Sequence, residues 1–443
     1  MKKTFIRTAV LSMMLAAGLT GCAGTSDTAS DHESASAGMS SAQSDSNSES
    51  TPENKKSGQS AGDAETGEAA DAAEAKQLNY TENADSDSVF TKRDLAQTAD
   101  TGDAVVMTVT DGNTIDISEE GVYVLKGSAQ NCTVRVNADE SAKVQLVLDG
   151  VSITNKDFPA IYVVSADKVF VTTADTDNSL TVSGQFTSDG DTKTDAVIFS
   201  KDDLVLNGTG TLNVTSGYGN GITCKDDLKV TGGTYNVQCA LDAFEANDSI
   251  SVNDGTFTVE AGKDGFHCEN DEAEGTITIY GGTYDIKGGS DGMQACAVLQ
   301  IDGGTINVTG AEGLEATYIL INDGNINIQA SDDGINAAAR TNACETAIEI
   351  NGGYLKVAVG QGDTDAIDSN GSIYVNGGTI DVTAQMSSFD YDGRAEFNGG
   401  TIIINGTEVS EIPQSMMGGG MRGGMRGETG GSRNGGSNRR GMI

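Results

Sequence analysis

Acidic side chains recur in this sequence in one local pattern (acid, small, apolar, polar, small), and such oxygens are ligands for a cation. In the stretch DAIDS, Asp365 and Asp368 are three residues apart, and DAFEA at 242–246 and EGLEA at 312–316 repeat that spacing. If successive repeats stack in register, the acids form two columns. The candidate metal ligands are Asp242, Asp264, Asp291, Glu312, Asp333 and Asp365 in the first column, Glu245, Glu315 and Asp368 in the second, and Asp390 and Asp392 in a closing DYDG.

Stacked carboxylates repel one another unless a cation lies between them. At a strand spacing of about 4.8 Å, each pair costs about 1 kcal/mol in water and several times more near a protein surface. Calcium accepts six to eight oxygens with flexible geometry, whereas magnesium is stricter, so the pattern favours Ca²⁺. The alternative is a solvated acidic edge in which Asp and Gly only form turns. The repeated KDDL (Lys201–Leu204 and Lys225–Leu228) either extends the site or caps turns.

The elements that would position these acids are repeats marked by a Gly-Gly-Thr turn. The second glycine recurs at intervals of 20 residues (Gly304 to Gly324) to 29 residues (Gly324 to Gly353), and no unit shows a helical period. Units of this length with two or three short strands predict a right-handed parallel β-helix, an all-β solenoid. The residue after each Gly-Gly-Thr forms an inward ladder, which we interpret as core rather than as an aromatic sugar platform. This ladder comprises Tyr235, Phe257, Tyr284, Ile306, Leu355, Ile380 and Ile402.

The N-terminus is typical of a bacterial lipoprotein signal. A basic start precedes the apolar run Ala9–Leu19, which is too short to span a bilayer, and Leu-Thr-Gly-Cys then places Cys22 for lipidation. The alternative is an ordinary cleaved signal with a chance cysteine. The predicted organisation is a signal at 1–22, a disordered acidic Ser/Ala linker at 23–99, N-terminal β rungs or a cap at 100–195, regular rungs at 196–412 and a disordered Gly/Met/Arg tail at 413–443.

The composition disfavours several classes of binding partner. With 27 Lys+Arg against 65 Asp+Glu, the net charge is -38, which would repel nucleic acid. The chain has no Trp, so the usual stacking platform for neutral glucans is absent. The six cysteines other than Cys22 contain no CxxC pair, which disfavours zinc, and nothing in their spacing demands disulfides.

Over about residues 114–410 the chain resembles the exported β-helix family usually labelled carbohydrate-binding domain-containing protein. The resemblance is carried by KVQLVLDGVSIT (143–154), AVIFSKDDLVLNGTG (196–210), GITCKDDLKVTGGTY (221–235) and DYDG (390–393). It implies a calcium-binding relative of pectate lyases that binds polygalacturonate and cellulose, with calcium on the acid positions given above. Asn220 departs from the pattern, which puts a metal there in doubt.

Three functions remain open on this sequence. The first is a calcium-dependent binding module, monomeric and held outside the cell by its lipid, that takes acidic pectin in preference to cellulose. The second is a polysaccharide lyase, which needs a basic residue beside calcium; Lys263, Lys287 and Arg340 are the candidates, and none repeats. The third is a structural surface protein or adhesin stiffened by calcium. The sequence favours the binding module without catalytic residues.

Overall fold

A computed structural model describes residues 86–413 apart from 271–273 and 363, and these residues form a parallel β-helix. This confirms the predicted all-β solenoid. The predicted signal with Cys22, the linker up to residue 85 and the tail from residue 414 lie outside the described residues. In the described part the only helix, Ser86–Val89, has 4 residues, and no helix there is long and apolar enough to cross a membrane.

Each regular turn of the solenoid contributes one strand to each of three faces. The first face is a 12-stranded sheet in which neighbouring strands run parallel. Its strands are Thr114–Ile117, Thr133–Asn137, Ile161–Ser165, Ala196–Ser200, Asn220–Cys224, Phe244–Ala246, Phe266–Cys268, Asp291–Ala295, Glu312–Ala316, Ile335–Ala337, Ile367–Ser369 and Asp390–Tyr391.

The second and third faces belong to one 24-stranded sheet, because two long strands near its start run through both. The second face comprises Val105–Thr108, Gly121–Gln130, Lys143–Asn155, Lys168–Thr173, Asp203–Gly208, Asp227–Val230, Ser249–Val252, Thr276–Ile279, Val298–Ile301, Tyr318–Ile321, Ala347–Ile350, Ser372–Val375 and Ala395–Phe397. The third comprises Asp177–Val182, Thr211–Ser216, Thr234–Cys239, Thr256–Ala261, Thr283–Gly288, Thr305–Gly310, Asn325–Ala330, Tyr354–Val359, Thr379–Thr383, Thr401–Ile404 and the antiparallel Thr407–Val409.

Strict alternation of side chains explains why these segments form strands around one core. In Thr256–Ala261 every second residue is buried, as expected for a strand with one face inward. The predicted inward ladder is confirmed: the rings of Tyr235 and Phe257 stack at 5.4 Å, and those of Phe257 and Tyr284 at 4.6 Å. These aromatic rings are core residues and are not available as a sugar platform.

The glycine turns between the second and third faces require a backbone that L-residues avoid. Gly353 has φ +78°, and a Cβ there would lie 2.7 Å from the carbonyl oxygen of Gly324 in the turn below. Any side chain at this position would therefore strain the backbone and collide with the neighbouring rung. The repeated Gly-Gly thus fixes the corner at which each rung stacks closely on the last.

The linker predicted to extend to residue 99 ends earlier. Phe90 is 5% exposed and packs edge-on against Tyr280, while Asp94 is fully buried and pairs with Lys168 at 3.7 Å. Gln97 donates to the carbonyl oxygen of Thr231 at 3.0 Å. This stretch crosses the outside of the second face, so its few apolar and capping residues find partners that composition alone does not reveal.

Buried cysteines fill narrow positions of the core. Cys224 and Cys268 lie at 0% exposure in register with Ala246, as the sequence predicts for a row of small side chains. All six cysteines of the described residues are free thiols. Burial raises the pKa of Cys268, chiefly through desolvation, so this thiol stays protonated at neutral pH.

Candidate functional site

The predicted first column of acids exists along the start of the first-face strands. The amide N–H of Asp264 donates to Asp242 Oδ1 at 3.0 Å, and that of Asp291 donates to Asp264 Oδ1 at 3.0 Å. Asp365 repeats this contact with Asp333 Oδ1 at 2.7 Å. One oxygen of each acceptor therefore caps the backbone of the next rung, which explains why an oxygen-bearing side chain recurs at this position.

The asparagine that departs from the acid pattern takes the same capping role. Asn220 Oδ1 accepts from the amide N–H of Asp242 at 3.0 Å, so the contact needs an oxygen but no charge. Asp242, Asp264 and Asp291 are only 4%, 3% and 4% exposed. A solvated acidic edge therefore does not describe these three residues.

The second column is also in register, one residue per rung. Glu245 pairs with His267, His267 with Gln294, and Gln294 with Glu315. Asn336 then pairs with Asp368, and Asp368 with Asp390. Asp390 therefore continues the second column. Asp392 is exposed and lies beyond both columns, so its prediction as a ligand is not supported by its position.

The columns divide into three clusters, and the histidine cluster comprises Asp242, Asp264 and His267. Their candidate ligand atoms lie within 4.8 Å of one another. His267 Nδ1 is 3.5 Å from Asp242 Oδ2, and Lys263 Nζ is 3.2 Å from the same oxygen. Burial opposes ionisation of Asp242, but the adjacent His267 and Lys263 hold its pKa below the ordinary value. The positive charges beside the acids of this cluster thus come from the protein's own Lys263 and His267.

His267 is not among the candidate metal ligands of the sequence, yet it lies between carboxylates with a side chain only 16% exposed. Burial tends to lower its pKa, but Asp242 and Asp264 outweigh burial and raise it, which favours the imidazolium. The sequence signal was present, because the second-column position places any side chain between the acids of adjacent rungs.

The arginine cluster comprises Asp291, Glu312, Glu315 and Arg340. Arg340 forms a forked ion pair with Glu315, with distances of 3.1 Å from Nε to Oε1 and 2.6 Å from Nη2 to Oε2. Gln294 Nε2 donates to Asp291 Oδ2 at 2.8 Å and to Glu315 Oε2 at 2.6 Å. Burial, followed by the charges of Asp264 and Glu312, raises the pKa of Asp291 well above its ordinary value.

Arg340 comes from the longest insertion of the repeat array, between the strands Ile335–Ala337 and Ala347–Ile350. The Arg340 guanidinium, which is not part of the repeated pattern, thus contacts the second column at Glu315. Burial and the charge of Glu315 raise the pKa of Glu312 to about 7, so the arginine does not neutralise the whole cluster.

The carboxylate cluster comprises Asp333, Asp365, Asp368 and Asp390. Burial raises the pKa of Asp368 to about 7, with further contributions from Asp333, Asp365 and Asp390. Within the described part of the chain, no lysine, arginine or histidine forms an ion pair with Asp368 or Asp390. The histidine and arginine clusters thus contain positively charged side chains, whereas the described residues pair none with Asp368 or Asp390.

Beside the carboxylate cluster, a buried oxygen receives no hydrogen bond from the part of the chain that the structure describes. Asn336 lies next to Asp368 in the second column, and its Nδ2 donates to Glu312 Oε2 at 3.1 Å. Its Oδ1 is buried and accepts no hydrogen bond from the described residues. A buried acceptor without a donor is costly, and a cation would satisfy it. It adds a neutral oxygen of the type that calcium binds to these carboxylates. Among the described residues, however, no three carboxylates of this cluster have oxygens within 4.8 Å of one another, unlike those of the arginine cluster.

The KDDL repeat forms a fourth acidic group that the predicted ligand set omits. Asp203, Asp226 and Asp227 have carboxylate oxygens within 4.8 Å of one another, at the corner between the first and second faces. Lys168 Nζ is 3.4 Å from Asp203 Oδ2, and the Ser249 hydroxyl donates to Asp227 Oδ1 at 2.6 Å. Lys168 therefore neutralises only part of the charge of this group.

The remaining predicted ligand, Glu245, is bound by the protein itself. Lys225 Nζ lies 3.0 Å from Glu245 Oε1, and the Thr223 hydroxyl donates to Oε2 at 2.9 Å. Asn220 Nδ2 donates to the same Oε2. Cys22, the predicted lipidation site, lies outside the described residues.

A family model described as carbohydrate-binding domain-containing protein matches residues 111–364 and 311–410. The chain belongs to this family. The matches together extend over both acidic columns, from Asp242 to Asp390. They thus place both the β-helix and the candidate site within the carbohydrate-binding domain-containing family.

Two known proteins are similar to this member of the carbohydrate-binding domain-containing family. A carbohydrate-binding domain-containing protein of Acetivibrio thermocellus is 38% identical over 127 residues, which is 28% of this chain and 44% of the relative. The chain therefore matches less than half the length of that relative. A solved structure of a polysaccharide lyase-like protein from C. thermocellum, a gadolinium derivative, aligns with a TM-score of 0.37 and 21% identity over 70% of this chain and 96% of that chain.

Proposed function

We propose that the protein binds acidic polysaccharide of the polygalacturonate type through calcium held on the acidic column. Membership of the carbohydrate-binding domain-containing family supports the general class of ligand. The carboxylate cluster is the observation that carries the finer proposal, because among the described residues no protein cation pairs with its half-buried acids Asp368 and Asp390.

Charge compensation favours calcium at this cluster over the other two, although its oxygens must move closer together to share one ion. Asp333, Asp365, Asp368 and Asp390 would supply carboxylate oxygens, and Asn336 Oδ1 would supply a neutral one. In the histidine and arginine clusters a calcium ion would compete with positive charges that already lie beside the acids. We therefore expect the tightest calcium binding at the C-terminal end of the column.

Charge explains why such a site would select an acidic polymer. A protein of net charge -38 repels a polyanion, and a divalent ion shared between protein and uronate carboxylates reverses that repulsion locally. The chain has no Trp, and the aromatic ladder of the repeats is buried in the core. Stacking of a neutral glucan on that ladder is therefore not available, which disfavours cellulose.

The basic residues beside the columns are poorly suited to act as bases. Burial lowers the pKa of Lys263, but Asp242 and other acids outweigh burial and raise it overall, so the amine keeps its proton. Arg340 is held in its forked pair with Glu315. A lyase requires a neutral or readily deprotonated base near calcium, and these contacts favour a binding protein.

The sequence supports attachment of this binding protein to the outside of the cell. The apolar run Ala9–Leu19 followed by Cys22 is typical of a lipid-modified export signal. Acylation at Cys22 with two chains gives stable anchoring, whereas a single chain binds only reversibly. The acidic segment after Cys22 would then separate the β-helix from the bilayer.

Retention on immobilised polygalacturonate tests the proposal. Full-length protein in detergent is applied with calcium or with excess chelator, and the ultraviolet absorbance of unsaturated product is followed in the same samples. We expect much stronger retention with calcium than with chelator, weaker calcium-dependent retention for Asp368→Asn, and no change for Asp392→Asn, a matched exposed aspartate outside the columns.

The remaining outcomes separate the alternatives. Growing absorbance would identify a lyase and direct attention to Lys263. Retention of equal strength with calcium and with chelator would remove calcium from the proposal. Calcium-dependent thermal stabilisation without retention under any condition would instead favour a structural surface protein or adhesin.

A further inference from the structure

A shallow groove of about 310 Å³ lies on the outside of the third face, apart from the acidic column. It is formed by the strands Asn325–Ala330 and Tyr354–Val359, whose outward side chains stand in register. Its lining comprises Asn327, Gln329, Ala330, Lys356, Ala358, Val359 and Gly360. This volume is at the lower limit of small-molecule sites and suits one sugar unit of a longer chain.

Lys356 supplies a positive charge to this groove in a strongly acidic protein. Its register neighbours are Asn327 on one side and Asp381 on the other. Asp381 Oδ2 lies 3.3 Å from the Tyr354 hydroxyl, which donates to it. Within the described part of the chain, Lys356 forms no ion pair, although the sequence contains 65 acidic residues. The ammonium is therefore available to an external anion.

Tyr354 adds an exposed aromatic ring beside the groove. It stands two residues before Lys356 on the same outward side of the strand and is 41% exposed. In the neighbouring rungs this position holds Asn325 and Thr379, so the ring interrupts a row of small polar side chains. An exposed tyrosine ring offers an apolar surface for the C–H face of a sugar.

The groove and the carboxylate cluster are formed by segments that follow one another directly in the sequence. Ala330, at its edge, comes three residues before Asp333, and Gly360 comes five residues before Asp365. The two strands that form the groove thus lead into the rungs that carry the cluster. A polymer bound at the cluster has this groove beside it around one corner of the solenoid.

We propose that this groove is a second, calcium-independent subsite for a uronate unit of an acidic polysaccharide. The Lys356 ammonium pairs with the uronate carboxylate, the amides of Asn327 and Gln329 bond sugar hydroxyls, and the Tyr354 ring packs against the sugar. This inference rests on the proposed acidic polysaccharide, but it uses different residues and requires no metal.

Binding in the presence of chelator isolates this subsite. Full-length protein in detergent is titrated with soluble polygalacturonate fragments and, in a second arm, with the same fragments after methyl esterification. We expect weak, salt-sensitive binding to the free acid and at least tenfold weaker binding to the ester, because a charge-assisted contact to Lys356 is lost. Lys356→Gln should reduce binding of the acid about tenfold, and Tyr354→Ala severalfold.

Lys193→Gln provides the matched control. Lys193 is also an exposed lysine without an ion pair in the described part of the chain, and it lies before the first-face strand Ala196–Ser200, outside the groove. We expect binding by this variant to equal that of the wild type. Circular dichroism and thermal midpoints should match in all variants, because the substituted side chains are exposed.

Three results would overturn the subsite. They are the absence of binding by the wild type in chelator, equal losses for Lys356→Gln and Lys193→Gln, and equal affinity for acid and ester. The first would leave calcium-dependent retention at the column intact, so it would refute this inference alone. Conversely, chelator-resistant binding that is lost in Lys356→Gln, without any calcium-dependent component, would support the groove and refute the column.

Discussion

The carboxylate cluster predicts that removing one of its charges stabilises the metal-free protein. In Asp368→Asn an amide of nearly the same shape replaces a carboxylate that lies among Asp333, Asp365 and Asp390. Burial and these neighbours disfavour the ionised form, so the wild type is destabilised whenever Asp368 is charged without a cation. The variant is free of this penalty at every pH.

The size of the effect follows from the pKa of Asp368, which rises from 3.8 to about 7. At about 1.4 kcal/mol per pH unit, full ionisation costs about 4 kcal/mol, and we expect about 2–4 kcal/mol after solvent screening of this partly exposed group. The folded state holds the proton more tightly than the unfolded chain. The free energy of unfolding of the wild type therefore falls as pH rises from about 4 to about 7.

Urea denaturation in chelator at pH 5 and pH 8 measures this difference. We expect Asp368→Asn to exceed the wild type by about 1–2 kcal/mol at pH 5 and by about 2–4 kcal/mol at pH 8. The exposed Asp392→Asn should match the wild type at both pH values. Added calcium should stabilise the wild type more than Asp368→Asn, because a ligand stabilises the state that binds it.

A gain that does not change with pH would show that Asp368 is not held above its ordinary pKa. A loss of stability at pH 8 in chelator would show that the carboxylate makes a favourable contact that an amide cannot replace. Either result would remove the electrostatic argument for calcium at this cluster.

Two further predictions concern the arginine cluster and the core. Arg340→Gln should lower the free energy of unfolding in chelator by about 2–3 kcal/mol, because it leaves Glu315 buried without its ion pair. It should also enlarge the calcium-dependent gain in thermal midpoint, and an unchanged gain would argue against competition between arginine and metal. Phe266→Ala should cost about 3–5 kcal/mol, because Phe266 is fully buried and stacks on Phe244 at 4.7 Å. The loss of unfolding free energy in Phe266→Ala should be the same in urea denaturation with and without calcium. A loss that changes with calcium would show that core packing at Phe266 affects calcium binding.

The repeat made the fold predictable from the sequence. Each unit carries a Gly-Gly turn and alternating apolar residues, and residues of one phase must stack because every rung repeats the last. This is why Tyr235, Phe257 and Tyr284 could be assigned to one inward row, and why Asp264 and Asp291 could be assigned to one column.

Features outside the repeat were not predictable in this way. Phe90 packs on Tyr280 although 190 residues separate them in the sequence, and no periodic pattern marks this contact. Arg340 lies in an insertion whose direction the repeat does not specify, yet it returns to pair with Glu315. Asp392 was predicted as a ligand from its closeness to Asp390, but the strand Asp390–Tyr391 ends before it, so the pairing that aligns the columns does not extend to this exposed residue.

The sequence by itself determined the solenoid, its register and the rows of acids, because these follow from a local pattern repeated at a nearly constant interval. Only the tertiary structure decided which acids are neutralised by the protein, since Lys263, His267 and Arg340 reach their partners from other rungs or from an insertion. The reason is physical: register depends on backbone pairing between adjacent rungs, whereas charge compensation depends on where long side chains of different rungs converge.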